Sequence, residues 1–313
     1  MSNIKERAAL INKEAALMGK KVYSGETPKN TTFRKDLQKV KSKVVTLDDA
    51  IRLSGLKDGM TISFHHHFRS GDKVVNMVVG RLAEMGFKNL HLAASSLSDV
   101  HAPLIEHIRN GVITKISTSG LRGELAKEIS HGLMKEPVIF RSHGGRGSDI
   151  ANDDLHIDVA FLAASACDPA GNASGYSRSP NAKSICGSLG YAKPDAQHAD
   201  KVVIITDDLV DYPNTPNSIS EHDVNYVVLV DSVGDSSKIS SGAIRDTKNP
   251  RDILLAMNAA KVIVNSGYFK EGFSLQTGSG GASLAAVKYI REEMLKRGIH
   301  ASFALGGITA HMV

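Results

Sequence analysis

One unit that occurs twice constrains this chain most. Glu271–Gly307 reads EGFSLQTGSGGASLAAVKYIREEMLKRGIHASFALGG. An apolar run at Phe273–Thr277 is followed by Gly278-Ser279-Gly280-Gly281, a helical pattern over Ala282–Arg297, and a second apolar run at His300–Leu305 that ends in Gly306-Gly307. That is strand, glycine loop, helix, strand. Asp58-Gly59-Met60-Thr61-Ile62-Ser63 echoes Glu271-Gly272-Phe273-Ser274-Leu275-Gln276, with a second helical pattern over Val74–Met85 and a second strand over Lys88–Ser95. The copies lie roughly two hundred residues apart. Solenoid repeats recur every ~20–50 residues, so this spacing predicts a duplicated α/β domain.

The intervening chain continues the alternation. Thr46–Ser54 opens as a helix, with Thr46 as N-cap and Asp48 and Asp49 in its first turn. Strands are expected at Met60–Phe64, Leu90–Ala94, Val112–Ser117, Val138–Phe140, Ile157–Ala163, Val202–Thr206 and Asn225–Val230. Val202–Thr206 is a continuous apolar run, the pattern of a strand covered on both faces. Helices are expected at Lys73–Met85, Pro103–Arg109, Glu124–Met134 and Asn249–Asn265, the last with Pro250 in its first position. Ser142–Gly147 reads as a polar glycine loop, and Cys167–Pro194 as a long aperiodic connection of the kind that often carries function. The class is α/β with mainly parallel sheets. Residues 1–45 read as an N-terminal extension, 46–245 as a first domain and 246–313 as the start of a second.

Composition bounds the partners. With 42% apolar and 23% charged residues this is an ordinary globular composition. No run of ~18 apolar residues offers a membrane span, and the N-terminus has no secretion signal. A cytoplasmic location is expected, with Cys167 and Cys186 as free thiols. The net charge of +5 suits anionic ligands, but without a basic–aromatic cluster it does not point to nucleic acid.

Several residues are candidates for chemistry. Gly-rich loops between strand and helix can aim backbone N–H groups at an anion or a developing oxyanion. Gln276 and the Ser279, Gly280 and Gly281 backbone are the candidates here; a tight packing turn is the alternative. The next strand ends in Gly306-Gly307 where a dinucleotide site needs an acid, so a standard nicotinamide site is rejected. His65, His66 and His67 follow the first strand, and Arg69 follows them. Three successive residues of an extended segment cannot all face one way, so a metal trio is rejected. One or two of these histidines with Arg69 could bind carboxylates or a diphosphate; solvated loop histidines are the alternative. Arg122, His143 and Arg146 lie in glycine-containing turns near strand ends, the edge where open α/β sheets bind ligands. Arginine forks suit carboxylates. No nucleophile elbow is present.

The segments DGMTISFHHHFRSGDKVVNMV, EMGFKNLHLAASSL, STSGLRGELA, SHGGR, IDVAFLAAS, CGSLGY and GYFKEGFSLQTGSGGASLA together resemble the citrate lyase alpha subunit family, from about Asp49 to Val313. The resemblance implies two homologous domains of the class I coenzyme A transferase fold with the active site between them. It implies transfer of an acyl carrier protein: acetyl-carrier plus citrate gives citryl-carrier plus acetate. The partners implied are a beta subunit that cleaves the citryl thioester and a gamma subunit, the carrier itself, in an oligomeric complex. No cofactor is implied for this chain, which would act on the carrier's phosphoribosyl-dephospho-coenzyme A arm. Coenzyme A thioesters would serve as surrogates.

Many relatives of this fold use a glutamate nucleophile. Here Gln276 and the loop Leu305-Gly306-Gly307-Ile308-Thr309 offer no carboxylate, which matches the direct transfer through an acyl anhydride implied for the citrate lyase type. On this resemblance Gln276, Ser279, Gly280 and Gly281 are catalytic, and His65, His66, His67, Arg69, Arg122, His143 and Arg146 bind substrate. The family chain is longer, so the sequence reads as C-terminally truncated with an incomplete second domain. Transfer to another acid, citramalate or malonate, and a non-catalytic ligand-binding fragment are the competing readings.

Overall fold

The computed structural model describes residues 4–20, 41–65, 67–180, 182–187, 189–239, 247–277 and 281–305. The chain divides into two compact units, 1–41 and 42–313. In the first, helix α1 (Ile4–Leu17) leaves Leu10, Ile11 and Leu17 exposed.

The second unit begins with β1 (Val44–Val45) and α2 (Leu47–Ser54). Thr46 caps α2 as its sequence predicts, accepting from the Asp49 N–H at 3.1 Å. The chain continues through β2 (Thr61–Phe64), α3 (Val74–Glu84), β3 (Leu90–Ala94), α4 (Leu104–Arg109), β4 (Ile113–Thr118), α5 (Gly123–Ser130) and β5 (Ile139–Phe140). Then come α6 (His143–Ala151), β6 (Val159–Ala164), the small hairpin β7 (Ala166–Cys167) and β8 (Ala173–Ser174), α7 (Ala192–His198), β9 (Lys201–Thr206) and β10 (Tyr226–Leu229).

Eight strands form one sheet in the order β1-β10-β9-β6-β2-β3-β4-β5, every pairing parallel. The central strands are covered and apolar: all six residues of β6 are buried, as are five of the six in β9. Phe64 of β2 and Phe161 of β6 stack with centroids 5.7 Å apart in this core. β5 lies at an edge of the sheet.

The order of strands matters for function. From β2 the chain runs outward through β3, β4 and β5, then returns to place β6 on the other side of β2. The switch point of this open sheet is therefore the crevice at the carboxyl ends of β2 and β6, where such sheets bind ligands.

The remaining elements are α8 (Pro250–Val264), β11 (Ser274–Gln276), α9 (Gly281–Arg297) and β12 (Phe303–Leu305). β11 and β12 pair in parallel, and Ala260, Phe269 and Ile290 form a small core of their own. This is the strand–loop–helix–strand order of the sequence echo. Its loop residues Gly278, Ser279 and Gly280 lie outside the described residues.

One segment departs from the sequence reading. Ser142–Gly147 is no glycine loop: His143, Gly144, Gly145, Arg146 and Gly147 lie in α6. Ser142 caps it, accepting from the Gly145 N–H at 2.9 Å, and Arg146 and Ile150 are buried. Cap and burial override the ~1 kcal/mol that each glycine costs a helix. α7 lies at the end of a stretch without helical periodicity in its sequence, and α5 stops at Ser130, four residues short of Met134.

Candidate functional site

β2 ends at Phe64 and delivers His65 directly onto the switch-point edge. His65 follows the last residue of β2, and His67 lies in the turn beyond it. Their rings meet edge to face, with the planes at 73°. All four ring nitrogens are shielded from solvent and without a hydrogen-bond partner among the described residues. Burial pushes the His67 pKa down to about 3, so its imidazole is neutral at ordinary pH. A neutral imidazole still carries one N–H donor, and a buried donor without a partner costs free energy until a ligand accepts from it. His66 lies outside the described residues.

Arg69 follows in an unusual backbone state, φ +50°, at the start of a short 3-10 turn. Its carbonyl accepts from the Asp72 N–H at 3.3 Å and the Ser98 hydroxyl at 3.4 Å. Phe68, beneath it, is fully buried.

His143, the first residue of α6, comes near Arg69. Its ring lies 4.8 Å from that of Tyr191, and its pKa is lowered first by burial and then by the charges of Arg69 and Arg146. Arg69 and Arg146 are thus both within electrostatic reach of His143.

Arg146 faces inward rather than into the crevice. Its guanidinium donates to Asp195 from Nη1 and Nη2 at 3.0 and 2.9 Å. Nη2 also reaches Ser63 Oγ at 2.7 Å and the Ala93 carbonyl at 3.3 Å. Ser63 in turn donates to Asp195. Both charged side chains are at most 3% exposed. This fork joins α6, α7, β2 and β3 just below His65. It fixes the floor of the site, and the direct carboxylate contact expected of Arg146 is replaced by Asp195.

Arg122 stands at the carboxyl end of β4, two strands from β2, and is exposed. Gln276 ends β11, exposed, and Gly281 starts α9. Among the described residues no hydrogen bond or ion pair joins Arg122, Gln276 or Gly281 to the histidine pair. Ser279 and Gly280 lie outside the described residues.

Sequence reasoning missed Ser63, Asp195 and Asp168. Ser63 had a signal, being a polar residue inside a buried strand. Asp168 organises the turn after β6, accepting from the backbone N–H groups of Ala170, Gly171, Asn172 and Asn214 and from the Asn172 side chain. That network orders the aperiodic stretch from Cys167 onward. Beside it a cavity of about 750 Å³ opens between loops 174–187 and 208–218, with Tyr176, Arg178, Asn214 and Asn217 in its wall. Both cysteines are free and buried; burial raises both thiol pKa values, that of Cys186 to about 11. Neither is set up as a nucleophile. Among the described residues no helix is long and apolar enough to cross a membrane.

Comparison with known proteins agrees with this geometry. The family model described as "Citrate lyase, alpha subunit (CitF)" matches residues 39–313. The citrate lyase alpha chain of Klebsiella pneumoniae is 56% identical over 312 residues, covering 99% of this chain and 61% of that one. That of Escherichia coli K12 is 57% identical, covering 92% and 55%. This chain therefore spans somewhat more than half the length of the curated relatives it matches. Among solved structures, the putative citrate lyase alpha subunit of Streptococcus mutans, in complex with citrate, superposes with TM-score 0.82 at 54% identity, over 91% of this chain and 54% of that one. An acyl-CoA transferase of Escherichia coli O157:H7 is similar in fold, with TM-score 0.55 at 14% identity over 87% of this chain and 64% of that one. On this evidence the chain belongs to the citrate lyase alpha subunit family, built on the α/β fold of the coenzyme A transferases.

Proposed function

We propose that the chain acts as the transferase subunit of a citrate lyase, exchanging acetate for citrate on an acyl carrier protein. The observation that carries this reading is the buried histidine pair at the switch-point edge. The N–H donors of these two partnerless rings, with Arg69 following in the sequence, form a receptor for carboxylate oxygens. The citrate found in the Streptococcus mutans relative supports the choice of acid.

In the proposed reaction a citrate carboxylate oxygen attacks the acetyl thioester carbonyl. The tetrahedral intermediate expels the thiolate of the carrier's prosthetic arm and leaves a citryl–acetyl anhydride. The thiolate then attacks the citryl carbonyl and acetate departs. His65, His67 and Arg69 orient citrate. His143 and Arg122 are assigned weaker contacts with carboxylate or phosphate groups. Gln276 and the backbone N–H groups of Ser279, Gly280 and Gly281 are assigned to the oxyanion. No enzyme carboxylate is acylated. Positioning and electrostatic stabilisation are then the whole contribution of the protein.

The same reading assigns residues 46–245 to a first coenzyme A transferase-like domain and 246–313 to a second. It gives the chain beta and gamma partner subunits in a cytoplasmic complex. Mass spectrometry of acetylated carrier protein mixed with this chain and citrate tests it. A citryl-carrier peak is expected. Its absence, with citrate still raising the melting temperature, leaves a ligand-binding protein without transfer activity. Parallel reactions with citramalate and malonate test the acid. Exchange at the normal rate in Gly281→Val removes the oxyanion assignment.

A further inference from the structure

The amino-terminal halves of three neighbouring strands break the apolar pattern of the sheet. Thr61 of β2 pairs in register with His91 of β3, and His91 with Lys115 of β4. Residues in register on neighbouring strands face the same side, and Ser117, two beyond Lys115, joins them. Covered parallel strands are ordinarily apolar on both faces. This polar row is covered by Ile139, Arg141, the α6 residue Asp149, and the segment Asp154, Leu155 and His156, which together enclose a cavity of about 220 Å³.

The charges facing the cavity are unevenly matched. Arg141 Nε is paired with Asp149 at 2.6 Å. His156 is held by Asp153 and Asp200 at 2.8 and 3.1 Å, and these contacts raise its pKa. Asp154 is exposed at the rim. Lys115 is half-buried and forms no ion pair among the described residues. His91 stands 2.8 Å from Ser117 Oγ and 3.5 Å from Thr61 Oγ1. Burial, and then the Lys115 charge, push its pKa down to about 4.

We propose that this cavity binds a small oxyanion, of the size of inorganic phosphate or a short carboxylate, between the Lys115 ammonium, the His91 imidazole and the hydroxyls of Thr61 and Ser117. These groups supply one full positive charge and several neutral donors, on a sheet face that a hydrophobic covering would otherwise fill. The bound anion offsets the Lys115 charge that disfavours protonation of His91, so binding and proton uptake at His91 reinforce each other. The site is separate from the histidine pair: Thr61 lies four residues before His65, ~13 Å along the strand. It connects to that edge along β2 and β3 and through α6, in which Asp149 sits one turn beyond Arg146. Anion binding here does not depend on the transferase reading.

The test follows imidazole resonances of the whole chain by NMR at pH 5, titrating potassium phosphate or potassium acetate against potassium chloride at constant ionic strength. His91 is assigned from its loss in His91→Gln. Saturable movement of His91 is expected, with its apparent pKa rising toward the ordinary imidazole value; the tighter of the two anions names the source. Lys115→Met should weaken the response about tenfold, the effect of losing one charge-assisted hydrogen bond. Movement no greater than in chloride, or an undiminished response in Lys115→Met, overturns the proposal. His65→Ala controls for binding at the switch-point edge. It keeps the His91 response if the anion sits here, and loss of the response in that variant also overturns the proposal.

Discussion

Arg146 and Asp195 form a two-pronged ion pair in the interior, with contacts of 3.0 and 2.9 Å between side chains 49 positions apart in the sequence. The pair welds α6 to α7 and, through Ser63, both helices to β2. A buried ion pair adds little net stability compared with well-packed apolar residues, but removing one partner strands the other charge. Arg146→Met and Asp195→Leu should each lower the unfolding free energy by about 3–5 kcal/mol, and the double variant should lose much less than the sum. Urea unfolding of the three variants reads this directly. Additive losses would show that the two side chains do not act as a pair.

Arg69 gives a prediction of opposite sign at the same edge. With φ +50° it holds a conformation that costs a residue with a Cβ about 1 kcal/mol and costs glycine little. Arg69→Gly should therefore be more stable than Arg69→Ala by about that amount, a reversal of the usual order of these residues. Both variants should lose stabilisation by citrate equally, because both lack the guanidinium. Melting temperatures with and without citrate separate the two effects. Equal stability of the Gly and Ala variants would remove the strain argument.

The acid side of the stability profile follows from His67. Its folded pKa of about 3 lies below the ordinary value of 6.5. The unfolded chain therefore takes up a proton at this residue as pH falls below about 6.5, while the folded chain does not until about pH 3. Its contribution is fully present above the unfolded pKa and is lost as pH falls through that window. The loss is about 1.4 kcal/mol per pH unit for one proton. His91 acts in the same direction down to about 4. His67→Gln should flatten the stability curve between pH 6 and pH 4 by about one proton, as measured by urea midpoints against pH.

How much of this was legible in the sequence depends on range. The strands were readable because a covered parallel strand is a continuous apolar run, as in Val202–Thr206. The histidines were readable as a group at a strand end, but not which two would meet, because His67 lies in the turn beyond the strand. The helix α6 was not, since its three glycines argue for a loop and its evidence is tertiary: burial of Arg146 and Ile150. Asp195 was least visible. A carboxylate in AKPDAQH, a segment without helical periodicity, looks like a solvated loop residue, and only the fold shows that Arg146 lies opposite it. The substrate role assigned to Arg146 erred for the same reason, because propensity and spacing say nothing about a distant partner.

The loop that carries Arg69 is held from a distant part of the chain, and that contact can be broken at a single glycine. After β10 the chain returns across the sheet edge, where Gly234 bridges Asp72 and the Lys73 and Asp235 N–H groups reach the carbonyls of Val233 and Gly71. Gly234 packs against Phe68: a Cβ there would come within 2.5 Å of Phe68 Cγ and 2.9 Å of the Gly71 carbonyl. Phe68 is wholly buried and cannot retreat without moving its neighbours, His67 and Arg69. Gly234→Ala should therefore destabilise the protein by about 1–3 kcal/mol, the usual cost of overpacking. It should also weaken citrate binding although residue 234 is not assigned to the ligand. Phe68→Leu in the Gly234→Ala background opens space and should restore part of both losses. Calorimetric citrate titrations of the parent, the single and the double variant measure this coupling. Full citrate affinity in Gly234→Ala would mean that the Arg69 loop keeps its shape without the latch.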